Sequence, residues 1–520
     1  MNLLEDPWIP VRADHGAGAF RLLTYRDLLC EPGQNWQISL PRDDLELACL
    51  QLLVCMTQVM FLPDDDTALR QRLAAPLTPA EFDAGIAPFL DWFDLDHLTL
   101  PFMQTRGVKA AESTPIQKLL IGLPEGNNHA FFNEAGEARH LSGPVAAIAL
   151  FNQASNCPSF GGGFKGSLRG GAPITTLVFD RDLYRMVWRN VLTRPRVEER
   201  QIAAPGLVQD QPTWVSPVAE KSTIHWNQIG LMRGLFWQPA HVELVRSDGA
   251  RACDILGGEA TAGYSGFLKE KFNFTVEGVW PHPHGSIKLS VDGDSVEKKF
   301  SSFNTTAPAW TQLSEFLLPR NVGGNASPAG SSPAGPISQF EAMGDGGRLN
   351  FLVGGYRTNQ ASVLERRHEL LGLAQGWLNE KDRIGKLVAI GLTARDGLAS
   401  AIFTTSFGLP GMKGTGLFRK KKGRKKIRSV DDAHGFHEHA EKLFYAHTES
   451  LIHQTFSSDA TFKEWGEARR NYAQQVADHC RDIFEELTNP YTLKPELIPV
   501  IAWSRRALNT DLKKLMEETA

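Results

Sequence analysis

The sequence predicts an α+β protein, with a large, loop-rich and irregular N-terminal domain over residues 1–370 and a C-terminal helical bundle over residues 371–520. Two observations predict this class. From about residue 97 to residue 350, glycine, proline and aromatic residues are frequent and β-like runs are short, which is typical of loop-rich α+β structure. Beyond about residue 363, apolar residues recur at intervals of three, four or seven, which is typical of bundle helices.

The N-terminal region is predicted to begin with one extended segment and two helices. Residues 1–12 alternate apolar and polar residues and contain two prolines, which favours an edge strand or an extended arm. Asp43–Met60 starts with two acidic residues, which suit the positive end of a helix dipole, and continues with apolar residues at helical spacing. Thr78–Phe93 opens with TPAEF, a helix-capping pattern with proline at the first helical position.

Short strands and one loop are predicted for the middle of the chain. The predicted strands are Thr175–Phe179, Val242–Val245 and Phe272–Val276. Asn321–Pro336 reads NVGGNASPAGSSPAGP, a composition that cannot build a core, so we expect a mobile loop there. Five segments with helical spacing follow, at Val363–Leu378, Asp382–Phe403, Phe436–Ile452, Thr461–Leu487 and Leu497–Met516.

Composition limits the class of protein and its compartment. Of the 520 residues, 42% are apolar and 22% are charged, as in ordinary globular proteins, and the net charge is −4. Binding to nucleic acid must therefore come from local basic patches. The six cysteines form no C-x-x-C pair, which favours reduced thiols in a cytoplasm over a disulfide framework or a zinc ribbon. The first residues lack the pattern of a signal peptide, and we expect no membrane contact.

A glycine-rich stretch, NCPSFGGGFKGSLRGG, contains the spacing G-x-G-x-x-G at Gly161, Gly163 and Gly166. A dinucleotide site would need a strand directly before it and a helix directly after it, and neither is predicted. A Walker A loop would need Gly-Lys-Ser or Gly-Lys-Thr, whereas the order here is Lys-Gly-Ser. Two interpretations stay open. The stretch is a simple connector, or its backbone approaches a nucleic acid whose phosphates contact Lys165 and Arg169.

A second candidate for nucleic-acid binding is RKKKGRKKIR at Arg419–Arg428, with eight basic residues in ten. Like charges repel, so this run is predicted to be a loop between helices of the bundle, either a DNA-backbone patch or only a solvated loop. The patch comprises Lys413, Arg419, Lys420, Lys421, Lys422, Arg424, Lys425, Lys426 and Arg428.

Histidines occur close together twice, in HGFHEHAE and in WPHPH, but neither has the spacing of a metal site. On a helix, His437 and His439 would point about 200° apart. His282 and His284 have no carboxylate nearby in the sequence, so packing or capping is favoured. No catalytic motif is found, and we predict no catalytic residue, no metal and no cofactor.

Several stretches together resemble one known family. They are NLLEDPWIPV, LFNQASNCPSFGGGFKGSLRGGAP, GLFWQPAHVEL, YSGFLKEKFNFTVEGVWPHPH and GGYRTNQASVLERRH. Their order and spacing resemble the CasA family, the large subunit of the type I-E Cascade complex, an RNA-guided CRISPR surveillance machine. The resemblance is dense from Met1 to about His368 and looser beyond.

The resemblance implies a large irregular mixed α/β N-terminal domain followed by a C-terminal four-helix bundle. It also implies a non-catalytic ribonucleoprotein subunit. Such a subunit recognises the protospacer-adjacent motif (PAM) in double-stranded DNA, starts strand separation and R-loop formation, and recruits a separate helicase-nuclease. Its other partners are the remaining Cascade proteins and the 5′ end of the guide RNA. Base pairing with the guide then reads the long target sequence, while the protein reads only the short motif.

The resemblance also implies DNA-binding residues in three motifs. The first is a glycine loop at Ser159, Phe160, Gly161 and Gly162, with serine where the family pattern has glycine. The second is a lysine finger, Lys271 in FLKEKF. The third is a wedge at Asn359, Gln360 and Ala361 in TNQAS.

The wedge motif has a second interpretation. TNQAS could cap a helix formed by VLERRHELL, and both interpretations can hold.

A fourth motif, NNHAFFN, resembles the loop that reaches the guide RNA. Phe131 is the candidate for base stacking, with Asn128 beside it, and packing of Phe131 in the core is the alternative. Some members of the family carry cysteine pairs that suggest zinc. Only Cys253 lies in that neighbourhood here, so no zinc is expected. Two other classes of protein stay open, namely a nucleotide-binding enzyme and a purely architectural subunit.

Overall fold

The computed structural model describes residues 1–123, 137–202, 210–292, 295–303, 305–318, 329–344, 347–359, 362–407 and 436–519. The chain divides into two compact units. The first unit comprises Met1–Thr305, Glu315–Asp345 and Asn350–Leu370. The second unit comprises Thr306–Ser314, Gly346–Leu349 and Leu371–Ala520.

The helices are numbered along the chain. They are α1 (Tyr25–Cys30), α2 (Asp43–Met60), α3 (Asp66–Ala74), α4 (Pro79–Ile86), α5 (Gly143–Ser155), α6 (Leu183–Asn190), α7 (Arg194–Glu199), α8 (Leu231–Leu235), α9 (Leu313–Leu317), α10 (Gly335–Ala342), α11 (Lys381–Phe407), α12 (Phe436–Ser457), α13 (Asp459–Lys463), α14 (Trp465–Thr488) and α15 (Ile498–Glu518). Short 3₁₀ turns lie between several of them.

The strands are short except for the last two. They are β1 (Ile9–Arg12), β2 (Phe20–Leu23), β3 (Gln37–Ile38), β4 (Thr114–Pro115), β5 (Leu141–Ser142), β6 (Thr175–Val178), β7 (Ser222–His225), β8 (His241–Arg246), β9 (Arg251–Cys253), β10 (Gly257–Thr261), β11 (Gly263–Glu270), β12 (Phe274–Glu277), β13 (Ile287–Asp292), β14 (Ser295–Phe300), β15 (Ala329–Ser332), β16 (Leu349–Asn359) and β17 (Ser362–Leu373).

Small separate sheets surround a helical core in the first unit. The sheets have the orders β2-β1-β3, β10-β9, β4-β11-β5 with β8 also on β11, β12-β7, β14-β13-β15 and β17-β16-β6. The first strand was predicted as an edge strand or arm, but β1 is the middle strand of its sheet. Only β12 and β7 pair in parallel among the strand pairs described residue by residue. Antiparallel pairing suits short connections, which explains why the sheets form along a loop-rich chain.

Helices α2 and α5 form the centre of the first unit, and the predicted helix over Asp43–Met60 is confirmed. Nearly all of α2 is buried, which explains why its apolar residues occupy more than one face. The predicted start at Thr78 is also confirmed, since its hydroxyl accepts a hydrogen bond from the amide of Glu81 in a capping box. Predicted strands at β6 and β8 are confirmed, and β12 begins two residues later than predicted, at Phe274.

The prediction of a helix over Val363–Leu378 is wrong. This segment forms strand β17, followed by a 3₁₀ turn at Trp377–Asn379. In β17, Leu364 is exposed whereas Arg367 is buried, as side-chain alternation in a strand requires. Pairing with β16, supported by the Arg357–Glu365 ion pair at 2.8 Å, outweighs the local helical pattern. TNQAS is therefore not a helix cap.

The prediction of a mobile loop over Asn321–Pro336 is wrong for the part that the structure describes. Ala329–Ser332 pairs with β13, and Gly335–Ala342 forms α10 with Pro336 in its first turn. The small residues of this segment can pack closely, and proline in the first helical turn needs no backbone donor. Residues 321–328 lie outside the described residues.

Four long helices, α11, α12, α14 and α15, dominate the second unit, which confirms the predicted helical C-terminal region. The helix predicted over Thr461–Leu487 is interrupted at Glu464, which separates α13 from α14. Within α11, Lys381–Thr405 is long and apolar enough to cross a membrane by length and composition alone. Half of its apolar window is buried inside the protein, as in the core helix of a bundle.

Candidate nucleic-acid interface

The glycine loop directly follows α5 and has a backbone that favours glycine. Gly161, Gly162 and Gly163 have φ angles of +78°, +56° and +87°, all in the left-handed region. The amide of Phe164 donates to the carbonyl of Gly161 at 3.0 Å and closes the turn. A Cβ built on Gly162 would meet no protein atom within 4 Å. The tip of the loop therefore presents bare backbone to open space.

Ser159 stabilises the start of this loop. Its hydroxyl accepts a hydrogen bond from the amide of Gly161 at 3.3 Å, so the Oγ atom faces its own loop. The ring of the half-buried Phe160 lies 5.6 Å from that of Phe267 in β11. The ammonium of Lys269 lies 5.2 Å from the centre of the Phe160 ring. These contacts attach the loop to β11, so Phe160 acts as an anchor.

Lys271 follows the last residue of β11 and is exposed. Its ammonium donates to the carbonyl of Gly162 at 3.4 Å. A Cβ built on Gly163 would lie 3.7 Å from the same nitrogen. Residues more than a hundred positions apart, both identified from the sequence, therefore lie together at one exposed place.

The interpretation of Arg169 as a phosphate contact is wrong. Its side chain is 4% exposed, and its guanidinium donates to the carbonyl of Ser155, to the side-chain oxygen of Asn156 and to the hydroxyl of Thr175. Burial lowers the pKa of Arg169 to about 9. Arg169 therefore supports the loop from inside, whereas Lys165 is exposed at the surface.

The predicted wedge lies at the end of a long hairpin. Asn359 is the exposed last residue of β16, and β17 begins at Ser362. Gln360 and Ala361 lie outside the described residues. Near the hairpin end, the carboxylate of Glu365 accepts from both Arg357 and Arg367.

The part of the hairpin next to its end packs against the residues on either side of the glycine loop. Cys157 and Ala172, one before and one after the loop, pack with Tyr356 of β16 and with Ile121 in a small apolar cluster. Val363 of β17 packs against the same cluster. This contact brings together two of the three motifs that the sequence predicts to bind DNA.

Sequence reasoning did not identify Tyr356 or its polar neighbours. The hydroxyl of Tyr356 donates to the carboxylate of Asp44 and accepts from the amide nitrogen of Asn152. The only signal in the sequence was the pair Asn152 and Asn156, polar residues four apart at the end of the apolar helix α5. Such spacing puts both on one face of a helix.

Two other sets of predicted contacts cannot be placed. Phe131 and Asn128, the candidates for guide-RNA contact, lie outside the described residues. So does the complete DNA-backbone patch, Lys413 and the basic residues of 419–428.

Neither His282 nor His284 has a surface that could receive a ligand. Both are buried, and their ring centres lie 5.1 Å apart. Burial is the first cause that lowers the pKa of His284 to about 3, with Arg169 and Arg200 adding to the effect. Among the described residues, no group of three or more His, Cys, Asp or Glu side chains could hold a metal ion. Cys253 is buried, and its sulfur accepts from the amide of Ser142 at 3.4 Å.

Solved structures of other proteins share this fold. The chain is similar to CRISPR-associated protein Cse1 from Acidimicrobium ferrooxidans, with 16% identity, a TM-score of 0.70 and coverage of 100% of this chain and 98% of that one. It is similar to Thermobifida fusca Cse1, with 16% identity, a TM-score of 0.72 and coverage of 99% and 98%. It is also similar to a chain of a CRISPR RNA-guided surveillance complex, with 16% identity, a TM-score of 0.62 and coverage of 98% and 99%.

The fold is thus that of CRISPR-associated proteins of the surveillance-complex class. The chain belongs to the CRISPR-associated protein Cse1 family, whose sequence model matches residues 2–483. A further structural match, with a TM-score of 0.68, is described as Thermus thermophilus CasA (Cse1), so the two names denote one family. The resemblance to the CasA family, the large subunit of type I-E Cascade, is confirmed.

Proposed function

We propose that this chain is the non-catalytic subunit that reads the PAM in double-stranded DNA and begins to open the duplex. The observation that carries the proposal is the pairing of Lys271 with the glycine loop. An exposed cation and a stretch of backbone without side chains lie within hydrogen-bonding distance of each other.

This pair suits the minor groove of DNA. An ammonium has three donors, and the hydrogen bond to Gly162 occupies one of them. The acceptors on the minor-groove edge differ little between base pairs, so a single lysine reads that edge leniently. The bare backbone of Gly161 and Gly162 can approach a neighbouring phosphate, because no Cβ stands between them.

The hairpin that ends at Asn359 supplies the second step. We propose that Asn359, Gln360 and Ala361 enter the duplex beside the PAM and separate the first base pairs. Unstacking one step costs a few kcal/mol, which new protein contacts and pairing with the guide RNA must offset. The two strands of the hairpin pair with each other and are joined by the Arg357–Glu365 ion pair at 2.8 Å, which supports a role for the hairpin end as a wedge.

The remaining partners follow from the family. We propose that the chain assembles with the other Cascade proteins in the cytoplasm and contacts the 5′ end of the guide RNA through Phe131 and Asn128. The basic patch would hold DNA phosphates without sequence preference. A separate helicase-nuclease would then be recruited to cut the DNA, and this chain would need no cofactor or membrane.

Target binding by the reconstituted complex tests the proposal. On a linear duplex bearing the PAM, we expect Lys271→Ala to weaken binding about tenfold or more, since a hydrogen bond to a charged group contributes about 1.5–3 kcal/mol. We expect Gln360→Ala to weaken binding as well, since it removes contacts that offset the cost of unstacking, which is on the order of a few kcal/mol. Lys298→Ala is the matched control, because it removes an exposed lysine of the same unit from strand β14.

Three results would contradict the proposal. Unchanged affinity for both Lys271→Ala and Gln360→Ala would exclude these residues from PAM reading. Loss of assembly together with retained PAM selectivity would indicate an architectural subunit instead. Binding of ATP or NAD by the isolated chain would indicate the nucleotide-binding class, and we expect none.

A further inference from the structure

A series of hydrogen-bonded, buried polar groups, here called the polar chain, lies beneath the proposed DNA-binding surface. At its centre is Asp44, at the start of α2, whose carboxylate is paired with Arg42 at 2.8 Å. The hydroxyl of Tyr356 donates to the same carboxylate at 2.9 Å. Arg366 of β17 also approaches it, at 3.1 Å. Both strands of the hairpin are therefore bonded to one carboxylate.

The polar chain continues to the glycine-rich stretch that contains the glycine loop. Asn152 in α5 donates to the Tyr356 hydroxyl at 2.7 Å, and its own oxygen accepts from Asn156 at 3.0 Å. The side-chain oxygen of Asn156 accepts from Arg169, in the second half of the glycine-rich stretch, and from Thr175 at 3.2 Å. The path from the hairpin to Asn156 and Arg169, which lie before and after the glycine loop, is thus continuous and buried.

The other end of the polar chain reaches a third segment of the protein. Arg42 donates to the backbone carbonyl of Ile121 at 2.7 Å. Ile121 precedes, by a few residues, the segment that carries the proposed guide-RNA contacts. The apolar cluster of Ile121, Cys157, Ala172 and Tyr356 joins the same segments independently. Tyr356 belongs to both the polar chain and the apolar cluster.

The state of the Tyr356 hydroxyl is fixed by its surroundings. The residue is 2% exposed. Burial first, and then Cys157 and Asp44, raise the pKa of Tyr356 well above its ordinary value. The hydroxyl therefore stays protonated. It donates a hydrogen bond to Asp44 and accepts one from Asn152. This one hydroxyl joins Asp44 to Asn152, and a phenyl ring could bond to neither of them.

We propose that Tyr356 is a positioning residue that sets the hairpin and the glycine loop in one fixed geometry, so that PAM contact and duplex opening act as a single event. The polar chain comprises Arg42, Asp44, Tyr356, Asn152, Asn156 and Arg169. This inference rests on the proposed function. It adds a mechanical requirement, because a wedge can separate base pairs beside the PAM only if its distance from the reading loop is fixed.

The test replaces Tyr356 by phenylalanine in the reconstituted complex. The ring stays in the apolar cluster, while Asp44 and Asn152 lose their shared partner. Tyr264→Phe is the matched control, because Tyr264 is also buried and donates to a carboxylate, that of Asp96, at 2.6 Å. Asp96 lies outside the polar chain.

Two DNA targets distinguish positioning from stability. On an intact PAM duplex, we expect Tyr356→Phe to weaken binding about tenfold. The bond to Asp44 no longer fixes the hairpin, and restoring its geometry on the DNA costs about as much as one hydrogen bond to a charged group. On a target already unpaired beside the PAM, no wedge is needed, and we expect binding within about twofold of the unmodified complex. Tyr264→Phe should leave the ratio between the two targets unchanged.

The outcomes separate this inference from the proposed function. The positioning role would be overturned if Tyr356→Phe lost equal affinity for both targets, or if it gave the same ratio of the two affinities as Tyr264→Phe. In either case Lys271→Ala would still weaken PAM binding, and the proposed function would stand. If Lys271→Ala has no effect on PAM binding, the proposed function fails first. If the Tyr356→Phe complex does not assemble, Asn152→Ser takes its place, because it removes the amide that donates to Tyr356. The ratio of affinities for the two targets then tests the positioning role in the same way.

Discussion

Gly162 offers a sharp test, because two reasons for glycine can be separated there. The φ angle of +56° lies in the left-handed region, which asparagine also adopts readily. A Cβ at this position would meet no protein atom within 4 Å. Gly162→Asn should therefore keep the loop and the fold, at a cost below about 1 kcal/mol in the free energy of unfolding. If close approach of DNA is the reason for glycine, the same change blocks binding.

The expected loss follows from the contacts that an added side chain would displace. One charge-assisted hydrogen bond from backbone to phosphate contributes about 1.5–3 kcal/mol, so its loss weakens binding about 10- to 100-fold. The assay is equilibrium binding of the assembled complex to a linear PAM duplex, with a thermal unfolding curve of each variant. Gly249→Asn is the control, since Gly249 has φ of +76° and also open space around its Cβ.

Two results would contradict this role of Gly162. If Gly162→Asn binds the PAM duplex as tightly as Gly249→Asn does, DNA does not approach this backbone. If Gly162→Asn unfolds at a much lower temperature than Gly249→Asn, the loop has a structural need for glycine beyond its φ angle.

Two further predictions concern charge. Neutralising the eight basic residues of 419–428 should weaken binding equally for all DNA sequences and reduce the slope of log K against log salt by about 0.9 per lost phosphate contact; an unchanged slope would assign the run another role. Asp210 has its pKa raised from 3.8 to about 6, chiefly by burial. The fold is therefore more stable when Asp210 is protonated. This stabilisation is complete at pH values below the pKa that Asp210 has in the unfolded chain, and it is lost as the pH rises through about 6. Asp210→Asn keeps the oxygen that accepts from the amide of Arg233 and should raise the stability at pH 8 by up to about 3 kcal/mol, and much less at pH 4. Unfolding curves at the two pH values check this, and an equal gain at both would contradict it.

Some elements were predictable from local sequence because local interactions decide them. The helix at Asp43–Met60 and the cap at Thr78 are examples, since acidic residues, proline and hydroxyl groups at a helix start act within one turn. Strand β17 was not predictable in this way. Its residues repeat at helical spacing, but pairing with β16 decides its structure, and that pairing is a tertiary contact.

The candidate site shows the same division. The residue types of the glycine loop and Lys271 were recognisable, but only the fold shows that Lys271 reaches Gly162. Arg169 was misjudged because an arginine beside glycines suggests an exposed cation. Its burial is set by Asn156 and Thr175, whose positions depend on the packing of α5 and β6.

A PAM-library binding screen tests the central claim most directly. The assembled complex, with either the unmodified chain or Lys271→Ala, is mixed with duplexes that carry every short sequence beside one constant target, and the bound DNA is sequenced. We expect the unmodified complex to enrich a small set of motifs and Lys271→Ala to flatten this enrichment. The same motifs, enriched to the same degree by both complexes, would contradict it.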